Sequence, residues 1–486
     1  MAQAIGWALL TGIGVTGFGA PLAIIVGSLV IAAAGAAVSY ALAPDLPSTK
    51  TPKDVTRQSV RQALPPQVRI YGRATVGGAW FFWDAKDPYQ VIGYLLAGHE
   101  CDAVEEVYIQ GNRVFFDPST YEATSTPYKD GSTVWLRGSI RLGTSSQALD
   151  PIINDRFSAI PSSFRQRGWT TGVLEFWKGN SREKFQNRWG DSPNPLFRTR
   201  GVRLYDPRDP RQERDDAATW TWSDNAALCI ADWLTYDFGG AIPRALIDWP
   251  SVAAAADVCD RWRPRADGTN ERQYTVNRAI RLDGPPIAAL RDMLAACRGR
   301  VVFRNGLYGL VSDDGRQPGL TIPDEWWIGG VDCQAEAPRS RTINTIRASF
   351  VAPDRDYQTV LGPVLQRADW VEQDGAVYEQ SIDFGSVEGS SRVQRLMKAA
   401  LNDARKGRIV SGKIGLDWLR LAAGEVVRID SANLPRLNGI YEVAKVEAAT
   451  DLQSATVTLA EYDPDACAWD PLVDERPFTV DAAVAA

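Results

Sequence analysis

The chain has 486 residues, a formal net charge of −6 and a pI near 5.2, with 17 Trp, six Cys and a single His. An acidic balance gives no basic field for gripping nucleic acid and argues against sequence-specific DNA reading, although a mildly negative channel would let DNA slide past. One histidine excludes a two-histidine metal site within a subunit, and the length calls for two to four domains, each able to bury a core.

Met1 to Pro44 carry no charged side chain, and Asp45 is the first. Such a segment must be hidden in a partner, an oligomer or a bilayer. Before Pro21, Gly6, Gly12, Gly14, Gly17 and Gly19 weaken helix propensity. After it, Leu22 to Ala43 reads as a hydrophobic helix of about 33 Å, long enough to cross a membrane. Ser28, Ala32 and Ala36 recur at four-residue spacing with Gly27 and Gly35 beside them, a small-residue face suited to close helix packing in a lumen or a membrane. A secretory signal would need a positively charged start, which is missing. A permanent anchor and a helix stored inside an assembly for later release both remain open, and storage is favoured. Lys50, Lys53, Arg57 and Arg61 suit lipid headgroups or a solvated linker equally.

Residues 45–66 read as a linker rich in Pro, Ser, Thr and Lys. A first β-rich domain over 67–200 follows from strand patterns at Val68–Thr75, Trp80–Trp83, Gln90–Ala97, Glu105–Phe115 (broken at Gly111 and Asn112), Val134–Leu142 and Thr171–Trp177. An α/β domain over 201–340 opens with a strand at Gly201–Tyr205, stopped by the turn Asp206-Pro207-Arg208-Asp209-Pro210. Ser223 or Asp224 is expected to cap a helix over Asn225–Leu234. Ser251–Trp262 and Pro286–Cys297 are further helices, and Val301–Phe303 with Leu307–Val311 forms a hairpin. Over 341–486 one long helix, Ser391–Arg405, lies among strands at Asn344–Phe350, Arg408–Ile414, Val426–Asp430, Gly439–Val446 and Ala455–Ala460. A small barrel is the economical closure for them, because it removes free edges. The fold class is therefore α+β, mainly β and multidomain. Cys101, Cys229, Cys259, Cys297, Cys333 and Cys467 are scattered without a C-x-x-C pair and read as buried free thiols.

Catalytic chemistry is sparse. His99 and Cys101 could share a strand face, but adjacency alone is weak support for a base and nucleophile. Asp313 and Asp314, Glu105 and Glu106, and Asp463 and Asp465 are what turns and strand ends contain; a glycosidase pair would need two from separate strands. No catalytic residue, cofactor or metal ligand is assigned. The Trp clusters at Trp80 and Trp83, Trp220 and Trp222, and Trp326 and Trp327 suit cores or interfaces better than sugar sites.

Phe197 to Arg208, with its Tyr205-Asp206-Pro207 turn, then Thr219 to Ala227 with Trp220, Trp222 and Ser223-Asp224-Asn225, resemble the central region of the phage tail-tip or central tail hub family that includes the phage lambda host-specificity protein. Arg272 to Asn277, the Leu290–Arg300 helix, Ser391 to Arg395 and Gly424 to Val427 follow in matching order, so the resemblance spans roughly 65–475. Arg278 stands where a turn glycine is expected.

The resemblance implies a virion protein at the distal tail tip, built from small barrels and a central α/β domain around a channel. It implies a homotrimer that closes the tail tube, contacts the distal tail protein, the tape measure protein and other tail-tip or fibre proteins, and opens for DNA passage. The host membrane is a further expected partner during ejection. Relatives continue into receptor-binding modules after the hub, so a separate fibre or tip protein is expected for host recognition. Tyr205, Asp206, Trp220 and Trp222 are the candidate structural junction or interface. The alternatives are a membrane-anchored surface or secretion component and, less favoured, a tail-associated glycan hydrolase.

Overall fold

A computed structural model describes residues 65–178, 181–190, 193–335, 343–355, 357–450 and 452–478, together with 57, 59 and 61. The uncharged segment, with Gly27, Ser28, Ala32, Gly35 and Ala36, lies outside the described residues. Among the described residues no helix is long and apolar enough to cross a membrane. The chain divides into two compact units, one formed by Pro52–Asp224 with Val276–Ala289, the other including Asn225–Thr275 and Leu290–Ala486.

The first unit runs through β1 (Val68–Tyr71), β2 (Arg73–Val76), β3 (Ala79–Lys86), β4 (Tyr89–Ala97), β5 (Ala103–Ile109), β6 (Asn112–Val114), β7 (Leu136–Arg141), α1 (Pro151–Arg156), β8 (Thr170–Trp177), α2 (Arg182–Trp189) and β9 (Leu196–Arg200). Two four-stranded sheets result, ordered β3-β4-β8-β7 and β2-β9-β5-β6. Side chains alternate across each sheet. Ile92 and Tyr94 of β4 and Leu174 and Phe176 of β8 therefore join Val107, Ile109 and Phe197 of the second sheet in one core. The opposite parity, Val91 and Val173, packs under Ile152 and Ile153 of α1. Burying each such side chain contributes about 1.5–3 kcal/mol. Helix α1 starts where Asp150 accepts the Ile152 and Ile153 amides and Pro151 supplies a preset φ.

The single strand expected over Val68–Thr75 is broken at Gly72, which sits at φ +57. A Cβ there would lie 2.2 Å from the Val276 carbonyl oxygen. β1 turns away to pair antiparallel with the strand Arg278–Arg281, Val68 facing Arg281.

The second unit holds α3 (Ala226–Thr235), α4 (Trp249–Cys259) and, through its buried Leu290, Met293 and Ala296, helix α5 (Pro286–Ala296). The α3 cap is Asn225 rather than Ser223 or Asp224, because its Oδ1 reaches the Ala227 amide at 3.0 Å while its Nδ2 donates to the Ala256 carbonyl at 2.9 Å. One side chain thus starts α3 and ties it to α4. The hairpin of β10 (Gly299–Arg304) and β11 (Leu307–Ser312) packs on α4.

There follow β12 (Leu320–Ile322), β13 (Trp327–Gln334), β14 (Thr345–Ala352), α6 (Ala368–Asp374), β15 (Glu379–Glu388), α7 (Ser390–Asp403), β16 (Ile409–Ile414), β17 (Val426–Ile429), β18 (Gly439–Ala448) and β19 (Ala455–Glu461). Six of them form a sheet ordered β12-β17-β18-β19-β16-β13. Its two edges, β12 and β13, are separated in sequence only by residues 323–326. A flat six-stranded sheet would hold its edges about 24 Å apart, and five Cα steps reach at most about 18 Å. The sheet must curl, and it does so as a half-barrel around Ile322, Val410, Ile414, Val427, Ile429, Tyr441, Val443, Val457 and Leu459. The mainly β, α+β architecture expected from the pattern is the one adopted.

β14 pairs in parallel with β15, and α7 covers both. The long helix was expected to bury one apolar stripe, yet Arg392, Gln394 and Arg395 are buried along with Val393 and Leu396. Their partners explain it. Arg395 pairs with Glu271 at 2.6 Å, Arg392 donates to the Arg272 carbonyl at 3.0 Å, and Gln394 holds the Arg476 backbone through both amide groups.

Candidate assembly surface and ligand cavity

The short strands Arg203–Leu204 and Thr221–Trp222 pair antiparallel, which brings Tyr205, Asp206, Trp220 and Trp222 together. Tyr205 and Trp220 meet with ring centroids 6.3 Å apart, and the buried Trp220 indole donates to the Glu213 carbonyl at 2.8 Å. Asp206 folds the turn back on itself by accepting the Arg208 amide at 3.0 Å and its guanidinium at 2.8–2.9 Å. Trp222 donates to the Gly72 carbonyl at 3.2 Å and its ring is approached by two guanidiniums, Arg73 at 4.5 Å and Arg200 at 5.2 Å. Glu105 bonds Arg73 at 3.2 Å, and Asp102 pairs with Arg200 and with Arg203 at 3.1 Å. The junction is thus a knot of cation–aromatic and ion-pair contacts within one subunit.

The histidine and the paired acids are similarly engaged. His99 Nε2 accepts the Ile70 amide at 3.0 Å while Nδ1 faces the Glu100 carbonyl at 2.8 Å. The neutral ring protonated on Nδ1 satisfies both contacts. Cys101 Sγ lies 3.8 Å from Nδ1, but burial pushes the thiol up to about 12 against the opposing Thr170 hydrogen bond. Neither a spare basic nitrogen nor a thiolate is presented there. Asp314 pairs with Arg261 at 3.0 Å and with Arg263; Glu106 pairs with Arg113 at 2.9 Å; Asp463 pairs with Lys406 at 3.2 Å and caps Asp465. Asp313 pairs with Arg298 at 2.8 Å and accepts the Tyr462 hydroxyl at 2.6 Å. Among the described residues no group of three or more His, Cys, Asp or Glu could hold a metal ion.

Two features escaped sequence reasoning. The first is an apolar surface on the half-barrel. Edge strand β13 pairs with β16, and Ile328 on it is 50% exposed. The turn Leu416–Arg420 presents Leu416 and Leu419, which are 59% and 68% exposed, and Leu452 nearby is 60% exposed. Ile328 abuts Gly415, and the Trp418 indole donates to the Leu452 carbonyl at 3.3 Å, so these side chains share one end of the barrel. Cys333, expected buried, is exposed on the same strand. Glycines at 329 and 330 blur the alternation by which such a strand is recognised.

The second is a cavity of about 450 Å³ in the first unit, lined by Tyr89, Tyr121, Glu122, Trp135, Arg137, Asp155, Arg156 and Glu175 among others. Glu175, 1% exposed, sits on the α1 side of β8 opposite Arg137 in β7. It grips the Arg156 guanidinium with both oxygens and Arg137 at 3.4 Å. That hydrogen bonding, above all, holds the Arg156 proton more tightly than usual.

Residues 285–446, which include the half-barrel edge and most of its strands, match a family model described as putative phage tail protein. No curated protein sequence matches significantly. Among solved structures the fold is similar to a chain of the virion of a native gene transfer agent particle, at TM-score 0.59 and 16% identity, covering 96% of this chain and 97% of that one. A tail protein from Neisseria meningitidis MC58 aligns at TM-score 0.32 and 12% identity, over 82% of this chain and 96% of that one. A 43 kDa tail protein of prophage MuSo2 from Shewanella oneidensis aligns at TM-score 0.29 and 8% identity, over 83% and 94%.

Proposed function

We propose that this chain, a phage-tail-type protein by the match of its residues 285–446, is the structural hub at the tip of a long non-contractile tail or a related particle. In this reading it forms a homotrimer that closes the tail tube, sits against the distal tail protein and the tape measure protein, and opens for release of the latter and then of DNA. The observation that carries the reading is the exposed edge and apolar end of the half-barrel, of which all but Leu452 falls inside the matched segment. Ile328, Leu416, Leu419 and Leu452 are too exposed to serve their own core and are grouped as a self-association surface would require. The net charge of −6 suits a conduit that lets DNA pass without gripping it. The mechanism is mechanical: contacts between copies hold the closed state, and rearrangement at those contacts opens the lumen.

Imaging of intact particles tests the assignment, with a threefold cap at the end of the tail tube expected. Finding the chain elsewhere in the particle, or in no particle, would overturn it. In solution the purified chain should have the mass of a trimer, and Ile328→Asp with Leu419→Asp should yield a monomer that still unfolds cooperatively, at a lower midpoint that no longer depends on protein concentration.

A membrane-anchored component is the second reading, favoured by the uncharged residues 1–44. Deleting Ala4 to Ala43 separates the two. A hub that uses this segment to plug the tube and enter the host membrane would keep assembling and lose DNA delivery. An anchored surface protein would lose membrane attachment and have no delivery to lose.

A further inference from the structure

We propose that the cavity between α1, β7, β8 and the 117–122 turn is a binding site for a neutral saccharide. Its volume of about 450 Å³ lies within the range of small-molecule sites, about 300–1,000 Å³. Three aromatic rings and five charged groups line it together, and their arrangement selects among ligand classes.

Arg137 is already paired with Asp155 and Glu175, and Arg156 with Glu175, so an anion would have to compete with those carboxylates for both guanidiniums. A bare cation fares no better, because the carboxylate oxygens are already committed. Glu175 is clamped by Arg156 and Arg137, Asp155 accepts Arg137 at 3.1 Å, and Glu122 holds Lys129 at 2.9 Å. A polyhydroxylated neutral ligand suits this mixture. Each hydroxyl can donate to a remaining carboxylate lone pair and accept from a guanidinium N–H. Arg137 Nη2 and Arg156 Nη1 carry donors that none of these bonds uses. The apolar C–H faces of a sugar ring are the natural partners of Tyr89, Tyr121 and Trp135.

The site is also built in advance, which lowers the ordering cost of binding. Arg156 stands 4.4 Å from the Tyr89 ring and Arg188 stands 4.0 Å from the Trp135 ring, fixing both. Tyr121 is held at φ +63, a left-handed conformation uncommon for a bulky residue. Asp117 makes this possible: its carboxylate accepts the Ser119 and Thr120 amides at 2.9 Å each, and its carbonyl accepts the Tyr121 amide at 2.8 Å. Gly138 of β7 then donates to the Tyr121 carbonyl at 2.8 Å, locking the turn onto the sheet. Strain kept at a cavity wall by so many bonds is what a preformed ligand site would show.

The test uses the purified full-length chain with glucose, galactose, N-acetylglucosamine and maltose as probes, read by saturation-transfer NMR and by tryptophan fluorescence. At least one probe should bind saturably, and Arg137→Lys and Tyr121→Ala should each weaken it about tenfold while the thermal midpoint of Arg137→Lys stays unchanged. Lack of saturable binding by every probe overturns the proposal. So does binding indifferent to both substitutions, or displacement of the bound sugar by inorganic phosphate, which would mark an anion site. The readout needs no particle, so it stands or falls separately from the hub assignment.

Discussion

Asp313 shows how single residues hold the second unit together. It touches Arg298, Tyr462 and, at 3.5 Å, Arg316, while Arg298 reaches on to Asp403 at 2.6 Å and Arg316 to Glu442 at 3.1 Å. Burial alone would raise the Asp313 carboxyl, but Arg298 and Arg316 hold it down from 3.8 to about 2. A depressed carboxyl contributes stability that is complete above its unfolded value and is lost as pH falls through the folded one. The window is therefore 3.8 to about 2. Asp403 works in the opposite sense, since burial raises it and its protonation favours the folded state. Asp313→Asn should lower stability at neutral pH by about 2 kcal/mol, because it leaves two half-buried guanidiniums short of a counter-charge. It should also flatten the acid limb of a denaturation series over that window. Gly201 is the steric counterpart in the first unit. Its amide donates to the Gly72 carbonyl at 2.8 Å, and a Cβ would stand 2.0 Å from the Ile70 carbonyl oxygen. Gly201→Ala should cost about 3 kcal/mol in urea unfolding, comparable to the overpacking of a tight core.

At the scale of elements, α7 carries the sharpest expectation. Glu271, in the short strand Asn270–Arg272 that pairs with Trp262–Pro264, meets Arg395 at 2.6 Å and Arg392 at 3.6 Å. Glu271→Ala should destabilise by about 3 kcal/mol, whereas Glu271→Ala combined with Arg395→Met should recover most of the loss, as a double-mutant cycle would read. That helix also marks where sequence pattern stops informing. Val393, Leu396 and Leu401 announce one buried stripe, but the arginines are buried by partners more than a hundred residues away. β8 was legible because both its parities meet a core, Val173 on one side and Leu174 on the other. β15 was not: Glu379 to Glu388 interleaves Gln, Asp, Gly and Ser, and it becomes a strand through its pairing with β14. The 182–189 helix went unread because charged and polar residues dominate it, with Phe185 and Trp189 as its core residues among those described. The Tyr205 to Trp222 junction was visible as a motif, yet its guanidinium partners Arg73 and Arg200 were not, since nothing local links them to Trp222. The cavity was illegible for the same reason: Glu122, Arg137, Asp155 and Glu175 are ordinary loop, strand and helix residues until the fold collects them.

For the molecule as a whole, a mainly β chain with an apolar barrel end fits a part that reaches its final state in company, and the mass of the Ile328 and Leu419 variants checks that self-association directly. The half-barrel supplies rigidity through a sheet whose edges are tied by residues 323–326, and leaves β13 available at one side. The order of the chain adds a constraint in time. β1 is made early, but the strand that completes its pairing, Arg278–Arg281, lies more than two hundred residues further on. The second unit has meanwhile begun with Asn225–Thr275 and finishes only after Leu290. On a ribosome, then, neither half can close before the other has started. A nascent chain halted anywhere before Arg278 leaves β1 without the strand it pairs with, an open edge of the kind to which neighbouring chains add, so the stretch 278–281 is the point in synthesis at which the first unit ceases to be a template.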